Sequence, residues 1–455
     1  MTDTDAIFKI RGVIEGFYGK PWSHQQRIKG LKLFAEFNLN TYILAPKDDP
    51  WQRFDWRTPF SAEFLEKTKE LVDLAKSLKI DLNVCVSPGL TICYSSNEDL
   101  EALLVRFRQL SQIGVNRFGL LLDDIPDELQ FAVDKERFDS IASAHAYLAN
   151  SVHAKIAAEF KKGSLFVCPL QYHGRGNEPY ITELGQKLDN EIDLMWTGRQ
   201  ICSEYLDVYD AIKFKEGTSK QPFYWDNFPV NDVAMIYQLH VGPIEKREAH
   251  LGKYAVGLVA NPMEHFEASL IPIATIADYL NDPMGYQPEQ SWEKALNRIL
   301  PIEKDRLAIR HLFRNCLESC LAVNPAPEFN SMLGAATLAW RTGAVEKAAE
   351  LVAEFAKEIT ESHQVITDKN FSWPEVVEEV GPWLNKYHAT GVALLRLSEI
   401  LLDCSYRSGR LVGRAEQIVE VMKIKNSLKQ DPTRIFGDGL DMALGELATE
   451  LAVAD

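Results

Sequence analysis

Up to about residue 280, short apolar runs alternate with amphipathic helical stretches, and this alternation restricts the possible folds more than any other feature of the chain. Eight runs are rich in β-branched or aromatic residues. They are IFKIRGVIEG, TYILAP, LNVCVSP, RFGLLLDD, SLFVCP, IDLMWTG, PFYWDN and YAVGLVANP. Strands that alternate with helices in this way are typical of a parallel sheet with crossover helices.

The clearest helical stretch covers residues 23–37. It begins with an S-x-x-Q pattern at Ser23 and Gln26, which is typical of a capped helix N-terminus. Apolar residues then recur at the three- and four-residue spacing of one helix face. Eight strands separated by such helices predict a (β/α)8 barrel, in which the active site lies where the strands end and the following loops begin.

A doubly wound α/β sheet is the second possibility. Such a sheet usually binds a nucleotide at a glycine-rich first turn, but the first strand here is followed by EGFYGKPW and not by GxGxxG. From about Pro288 onward helix formers dominate and strand-like runs disappear. We therefore predict a barrel domain over residues 1–285 and an all-α helical bundle domain over residues 286–455.

The net charge and the cysteine content of the chain restrict its possible binding partners and its cellular compartment. The formal net charge of -16 disfavours binding to nucleic acid or to an anionic membrane. The first residues, MTDTDAIFKIRG, lack the basic and apolar regions of a signal peptide, and no apolar run approaches the length needed to span a membrane. The seven cysteines form no CxxC pair. These features predict a cytoplasmic protein with reduced thiols.

Two adjacent carboxylates, Asp123 and Asp124, follow the apolar run LLL at the end of the fourth predicted strand. Adjacent carboxylates raise one another's affinity for protons, and partial burial adds to this effect. A general acid and a carboxylate base can then coexist at one site. Taken alone, such a pair is more often a helix N-cap or a magnesium site than a catalytic pair, because caps are far commoner than active sites. The residues at the other strand ends are therefore needed to distinguish these possibilities.

The other predicted strand ends are rich in groups that bind sugars. Carboxylates and amides bind hydroxyl groups, and aromatic rings pack on the apolar faces of pyranose rings. Segments of this kind follow six of the eight predicted strands, namely EGFYGKPW, APKDDP, PLQYHGRG, WTG, WDNFPVND and VANPMEHFE. Because the strand ends of a barrel meet at one face, these segments predict a sugar pocket around Asp123 and Asp124.

Seven motifs in one order complete the pattern: RGVIEGFYGKPWSHQQR, NTYILAPKDDPW, SPGL, LLLDDI, WTG, WDNFPVND and NPMEHFEA. In this order they resemble glycoside hydrolase family 84, the O-GlcNAcase or β-N-acetylglucosaminidase family, and the chain looks like a bacterial-type homologue. The resemblance covers the barrel, roughly residues 8 to 282. Beyond residue 290 no motif can be matched to the family.

The resemblance implies a division of labour within the acidic pair. Asp123 would orient and polarise the 2-acetamido group of the substrate, and Asp124 would be the general acid and base. The acetamido oxygen, and not an enzyme nucleophile, would attack the anomeric carbon to give an oxazoline. The adjacency of the pair agrees with this mechanism, because the usual retaining mechanism needs carboxyl groups about 5 Å apart on opposite sides of that carbon.

The resemblance also implies substrate-binding roles for seven further residues. Those that would hold sugar hydroxyl groups are Gly16, Lys47, Asp232 and Asn261. Those that would form the wall of the acetamido pocket are Tyr172, Trp225 and Asn227. The residues flanking Tyr172 differ from those of the animal enzymes, so contacts to the leaving group near His173 and Arg175 are left open.

These observations predict a retaining exo-β-N-acetylglucosaminidase that acts on glycoproteins or glycosides and needs no cofactor. Alternatives are a hyaluronidase-like endo-hexosaminidase and a module that binds glycans or proteins without catalysis. A metal-dependent hydrolase ranks below these, because none of the ten histidines forms an HxH or HExxH pair. By analogy with the family, the helical domain is expected to brace the barrel or to form a homodimer.

Overall fold

A computed structural model of the chain describes residues 7–160, 162–322, 324–407, 410–412 and 414–452, without the side chains of residues 405–413. The first six residues, on which part of the prediction about a signal peptide rests, lie outside this description. Among the described residues, no helix combines the length and the apolar character needed to cross a membrane.

Eight parallel strands close into a barrel. The strands are β1 (Ile10–Glu15), β2 (Thr41–Leu44), β3 (Asp81–Val86), β4 (Arg117–Leu121), β5 (Ser164–Cys168), β6 (Asp193–Trp196), β7 (Pro222–Asp226) and β8 (Gly257–Ala260). Strand β1 closes the barrel, because Val13 lies opposite Tyr42 of β2 on one side and opposite Ala260 of β8 on the other. The predicted (β/α)8 barrel is confirmed, and the doubly wound sheet is excluded.

Helices connect the strands and continue beyond β8. They are α1 (His24–Glu36), α2 (Pro50–Arg53), α3 (Ala62–Ser77), α4 (Asn97–Gln112), α5 (Ala132–Arg137), α6 (Ile141–Glu159), α7 (Pro179–Lys187), α8 (Val208–Thr218) and α9 (Phe266–Asn281). The predicted cap of α1 is confirmed: Ser23 Oγ accepts from Gln26 N at 3.2 Å, and Gln26 Oε1 accepts from Ser23 N at 2.8 Å.

The remainder of the chain is largely helical, as predicted. Its helices are α10 (Pro288–Ile299), α11 (Glu303–Phe313), α12 (Pro327–Arg341), α13 (Val345–Ile366), α14 (Pro374–Glu379), α15 (Gly381–Leu402), α16 (Ala415–Gln430) and α17 (Gly439–Ala452). One feature departs from the all-α expectation, a pair of short antiparallel strands, β9 (Ser405–Arg407) and β10 (Arg410–Val412). Strands of three residues are too short to show the alternation from which a strand is predicted.

The chain divides into two compact units. The first unit extends to Asp232 and also contains residues 244–266 and 273–291. The second unit consists of residues 233–243, residues 267–272 and the chain from Trp292 onward. Inside the barrel of the first unit, buried apolar side chains from all eight strands or their ends form one cluster. Its members are Ile14, Ile43, Ala45, Cys85, Leu121, Phe166, Cys168, Met195, Phe223, Trp225 and Val259.

Glu15, the last residue of β1, is fully buried and fully hydrogen-bonded. Its carboxylate accepts from Arg27 Nε at 2.9 Å and Nη2 at 2.6 Å, from the Tyr42 hydroxyl at 2.6 Å, and from the Trp22 backbone N–H at 3.2 Å. Burial by itself opposes the charge of Arg27, but Glu15 holds the pKa of this arginine above its ordinary value. The network therefore fixes α1 and β2 to the end of β1.

Replacing Arg27 with Leu should lower the free energy of unfolding in urea by about 3 to 5 kcal/mol, because the Glu15 carboxylate would stay buried without its cation. As a control, Lys69→Leu removes a cation from an exposed pair with Asp73 within α3, whose Nζ–Oδ2 distance is 2.7 Å. This change should cost less than about 1 kcal/mol. Equal losses in the two variants would contradict the structural role of the Glu15 network.

Candidate active site

The acidic pair lies directly after β4, at the carboxyl end of the barrel strands. The N–H of Leu122 donates to the Cys168 carbonyl of β5 at 2.8 Å, so the sheet continues up to the residue before the pair. Asp123 is buried, with 4% of its surface exposed. Asp124 is exposed and adopts the left-handed conformation, with a φ of 54°. The chain thus turns between the two acids and places them in different surroundings.

Asp123 forms a buried ion pair with Lys47, which follows β2. Lys47 Nζ donates to Asp123 Oδ2, and both residues are only 4% exposed. Burial alone would lower the pKa of Lys47, but the neighbouring charges, Asp123 first, raise it above its ordinary value. The other carboxylate oxygen, Asp123 Oδ1, is buried and has no hydrogen-bond partner among the described residues. A donor on a bound molecule would satisfy it.

Two tyrosine hydroxyls hold the exposed carboxylate of Asp124. The Tyr18 hydroxyl donates to Oδ2 at 2.8 Å, and the Tyr172 hydroxyl donates to Oδ1 at 3.1 Å. Burial raises the pKa of both tyrosines, and the charge of Asp124 raises them further. Both phenols therefore remain donors at neutral pH. Tyr172 is itself fixed by the Thr197 N–H, which donates to its carbonyl at 2.8 Å.

A chain of hydrogen bonds joins the ends of β1, β7 and β8. The Gly16 N–H donates to Asn261 Oδ1 at 3.1 Å, and Asn261 Nδ2 donates to Asn227 Oδ1 at 3.0 Å. Trp225 Nε1 donates to the same Asn227 oxygen at 2.9 Å, while Asn227 Nδ2 donates to the Ile201 carbonyl at 2.9 Å. All polar atoms of the Asn227 side chain are thereby oriented.

Gly16 lies against the Trp225 ring. A Cβ atom built at Gly16 would be 2.3 Å from Cζ2 of that ring, which is too close for any side chain. On the same ring, Lys47 Nζ is 5.4 Å from the ring centroid, within the range of a cation–π interaction. Gly16 is therefore required by the close approach of an aromatic ring, and Trp225 links it to the ion pair.

The loop after β1 is held by carboxylates from three other loops. The consecutive N–H groups of residues 18–20 donate to Asp232 Oδ2 at 2.8 Å, Asp48 Oδ2 at 2.8 Å and Glu264 Oε2 at 2.9 Å. Burial raises the pKa of Asp232 above its ordinary value. Because each carboxylate comes from a different strand end, this loop connects the ends of β1, β2, β7 and β8.

All the predicted site residues lie at the carboxyl ends of the strands. Lys47, Trp225, Asn227, Asn261 and Gly16 are connected around Asp123 by the contacts described above. The residues connected around Asp124 are Tyr172 directly, and Asp232 through the backbone of Tyr18. His173 and Arg175, whose contacts the sequence leaves open, are exposed on the loop after β5.

Four residues with contacts in this site are absent from the sequence prediction: Tyr18, Asp48, Arg53 and Glu264. Tyr18, Asp48 and Glu264 stand inside the motifs EGFYGKPW, APKDDP and NPMEHFEA, so the motifs contained a signal for them. Arg53, the last residue of the short helix α2, lies beyond these motifs. Among the described residues, no group of three or more histidine, cysteine or acidic side chains is placed to hold a metal ion.

The sequence and the fold are similar to those of known proteins. A family model described as beta-N-acetylglucosaminidase matches residues 11–314. The chain is 33% identical over 280 residues to Protein O-GlcNAcase of Rattus norvegicus and to that of Mus musculus, a match that covers 60% of the chain and 30% of each rodent protein. The match thus spans less than a third of the length of these relatives.

Two solved structures resemble the whole chain. A mutant of the Thermobaculum terrenum O-GlcNAc hydrolase is 30% identical with a TM-score of 0.88, and the match covers 97% of this chain and 94% of that one. CpGH84B is 26% identical with a TM-score of 0.83, and the match covers 97% of this chain and 77% of that one. The chain therefore belongs to the β-N-acetylglucosaminidase family, glycoside hydrolase family 84.

Proposed function

We propose that the chain is a retaining exo-β-N-acetylglucosaminidase that removes β-linked N-acetylglucosamine from glycoproteins or glycosides. The observation that carries the proposal is the asymmetry of the acidic pair. Asp123 presents a buried acceptor that has no partner in the described part of the chain, and Asp124 presents an exposed carboxylate held by two phenols. An amide N–H suits the first, and a leaving-group oxygen that must be protonated suits the second.

In the first step, Asp123 accepts a hydrogen bond from the acetamido N–H and so increases the electron density on the acetamido oxygen. This oxygen forms a bond to the anomeric carbon while the glycosidic bond breaks. Asp124 gives its proton to the departing oxygen, which leaves as an alcohol. The product on the enzyme is an oxazolinium ion paired with the Asp123 carboxylate, and transfer of its N–H proton to Asp123 gives the neutral oxazoline.

In the second step, Asp124, now a carboxylate, takes a proton from water as the water oxygen attacks the anomeric carbon. The oxazoline ring opens, the acetamide regains its proton, and the two successive inversions leave the sugar in its original configuration. Substrate assistance fits the geometry because adjacent residues at one strand end serve neighbouring atoms on one side of the sugar. A nucleophile opposite the general acid would have to come from elsewhere.

The remaining site residues support these two steps. Lys47 orients Asp123 through their ion pair, and its other N–H groups are donors for sugar hydroxyls. Asp232 would accept from the 4- and 6-hydroxyl groups, with Gly16 and Asn261 beside them. The wall of the acetamido pocket would be formed by Tyr172, Trp225 and Asn227. The rodent relatives are described as Protein O-GlcNAcase and the Thermobaculum relative as an O-GlcNAc hydrolase, which supports our proposal that the target is N-acetylglucosamine on serine or threonine of proteins.

We also propose that the protein works in a reducing compartment such as the cytoplasm, because the seven cysteines of its sequence include no CxxC pair and an odd number of cysteines cannot all pair internally. Fractionation of cells that produce the chain would test this location, and recovery with a secreted fraction would refute it.

We also propose that residues 286–455 act as a domain separate from residues 1–285.

A homodimer would form through the helical domain. Apolar side chains exposed on its helices, such as Leu338 at 65% and Val392 at 53%, are available for such a contact. Light scattering should give twice the mass of one chain for the wild type and the mass of one chain for a Leu338→Glu/Val392→Glu variant. A monomeric wild type would refute the dimer.

Hydrolysis of an aryl β-N-acetylglucosaminide should be faster than that of the matching aryl β-glucoside by at least about 10³-fold, because the glucoside has no amide to act as the nucleophile. Initial rates under identical conditions measure the ratio. Equal cleavage of both sugars would refute substrate assistance. Cleavage of neither would favour the module that binds without catalysis, and cleavage only within a hyaluronan chain would favour the endo-hexosaminidase.

The two aspartates should be distinguishable by leaving group. Asn tolerates the left-handed conformation of Asp124, so Asp124→Asn removes the acid without straining the backbone. We expect kcat/KM for alkyl glycosides to fall by about 10²- to 10⁴-fold, with a smaller loss for activated aryl glycosides. Asp123→Asn is the matched control, because losing the help to the amide should slow all leaving groups similarly. Equal leaving-group dependence in both variants would refute the division of roles.

A further inference from the structure

We infer that Arg53 is a positioning residue that holds Asp124 in place for proton transfer, an inference that rests on the function proposed above. Arg53 ends α2, in the loop after β2, and only 7% of its surface is exposed. It contacts Asp124 in two ways, once through the Tyr18 hydroxyl and once through the backbone. Neither contact is implied by the motifs of the sequence.

The first contact fixes the direction of a hydrogen-bond chain. Arg53 Nη1 donates to the Tyr18 hydroxyl oxygen at 2.6 Å, and this hydroxyl donates to Asp124 Oδ2 at 2.8 Å. A guanidinium has no acceptor, so the Tyr18 oxygen has to accept from it and its proton is left for Asp124. A hydroxyl that accepts from a cation is also a stronger donor. Arg53 therefore orients and strengthens the bond that Tyr18 makes.

The second contact fixes the backbone. Arg53 Nη2 donates to the Asp124 carbonyl oxygen at 2.6 Å. Asp124 is in the left-handed region, which residues other than glycine adopt at some cost in energy. A charge-assisted hydrogen bond to this carbonyl offsets the cost and resists rotation of the chain at Asp124. The direction in which the carboxyl group leaves the backbone is thereby set.

An ion pair does not account for the burial of Arg53 within the described part of the chain. No carboxylate side chain lies within ion-pair distance of Arg53 among the described residues, and its buried Nε has no hydrogen-bond partner there. A buried guanidinium without a carboxylate is unfavourable for stability. Arg57, four residues later, shows the structural arrangement, with Nε and Nη2 bonded to Asp99 at 2.6 and 2.7 Å.

The arrangement also decides which oxygen of Asp124 carries the proton. Because Tyr18 donates to Oδ2, that oxygen remains an acceptor in both protonation states. The proton that passes to the leaving group is then carried by Oδ1, whose bond to the Tyr172 hydroxyl is longer, at 3.1 Å. Tyr172 can turn its hydroxyl, whereas Tyr18 is fixed by Arg53. Arg53 thus selects Oδ1 as the reactive oxygen.

The test compares Arg53→Lys with Arg57→Lys, which breaks a bidentate pair close by but outside the site. For Arg53→Lys we expect kcat on alkyl N-acetylglucosaminides to fall by about ten- to hundredfold, with a smaller loss on activated aryl substrates and little change in KM. Arg57→Lys should leave both rates close to those of the wild type. The Tyr18→Phe variant should show the same leaving-group dependence as Arg53→Lys.

Double-mutant analysis gives a second measurement. If Arg53 acts partly through Tyr18, the Arg53→Lys/Tyr18→Phe variant loses less than the product of the two single losses. Losses that multiply, or an Arg53→Lys loss that is equal for all leaving groups, would overturn the inference. A wild type that cleaves neither substrate would refute the proposed function instead. In that case a crystal structure of the Arg53→Lys variant still tests the role of Arg53. A carboxyl group of Asp124 that has not moved would overturn the inference.

Discussion

The buried ion pair of Lys47 and Asp123 is the interaction on which the rest of the site depends. It places two opposite charges at the mouth of a barrel whose interior is apolar, where either charge alone would cost several kcal/mol. Burial raises the pKa of Cys85 and of Cys168 nearby, so these residues stay thiols and add no third charge. Asp123 is therefore a fixed acceptor before any ligand binds.

Much of the barrel was predictable because local pattern and tertiary structure agree. Each of the eight apolar runs coincides with one strand, although β3 begins one residue before its run, and Ser23 caps α1 as its pattern predicts. The acidic pair was predictable as a site only together with the sugar-binding groups at the other strand ends, because an isolated pair of aspartates is more often a helix cap. The short strands β9 and β10 were not predictable, because a strand of three residues is too short to show the alternation of apolar and polar residues.

The contacts that distinguish the two aspartates were beyond sequence reasoning. In the sequence the two aspartates look equivalent. In the structure, the left-handed backbone at Asp124 separates the buried carboxylate of Asp123 from the exposed carboxylate of Asp124. Arg53 is 35 residues from Tyr18 and 71 from Asp124 along the chain, so no local spacing reveals their contact. These contacts form only when the strands assemble into the barrel and the loop after β2 meets the residues that follow β1 and β4.

The hydrogen bonds of the loop after β1 restrict how the loops of this site can change in evolution. Its three consecutive N–H groups each bind an acid from a different loop, Asp48, Asp232 or Glu264. Altering the length of any one of these loops would withdraw a carboxylate and release the loop that carries Tyr18. Evolution and engineering can therefore not exchange these four loops one at a time. The loop after β5 lies outside this set, so its exposed residues His173 and Arg175 can change without releasing the loop that carries Tyr18.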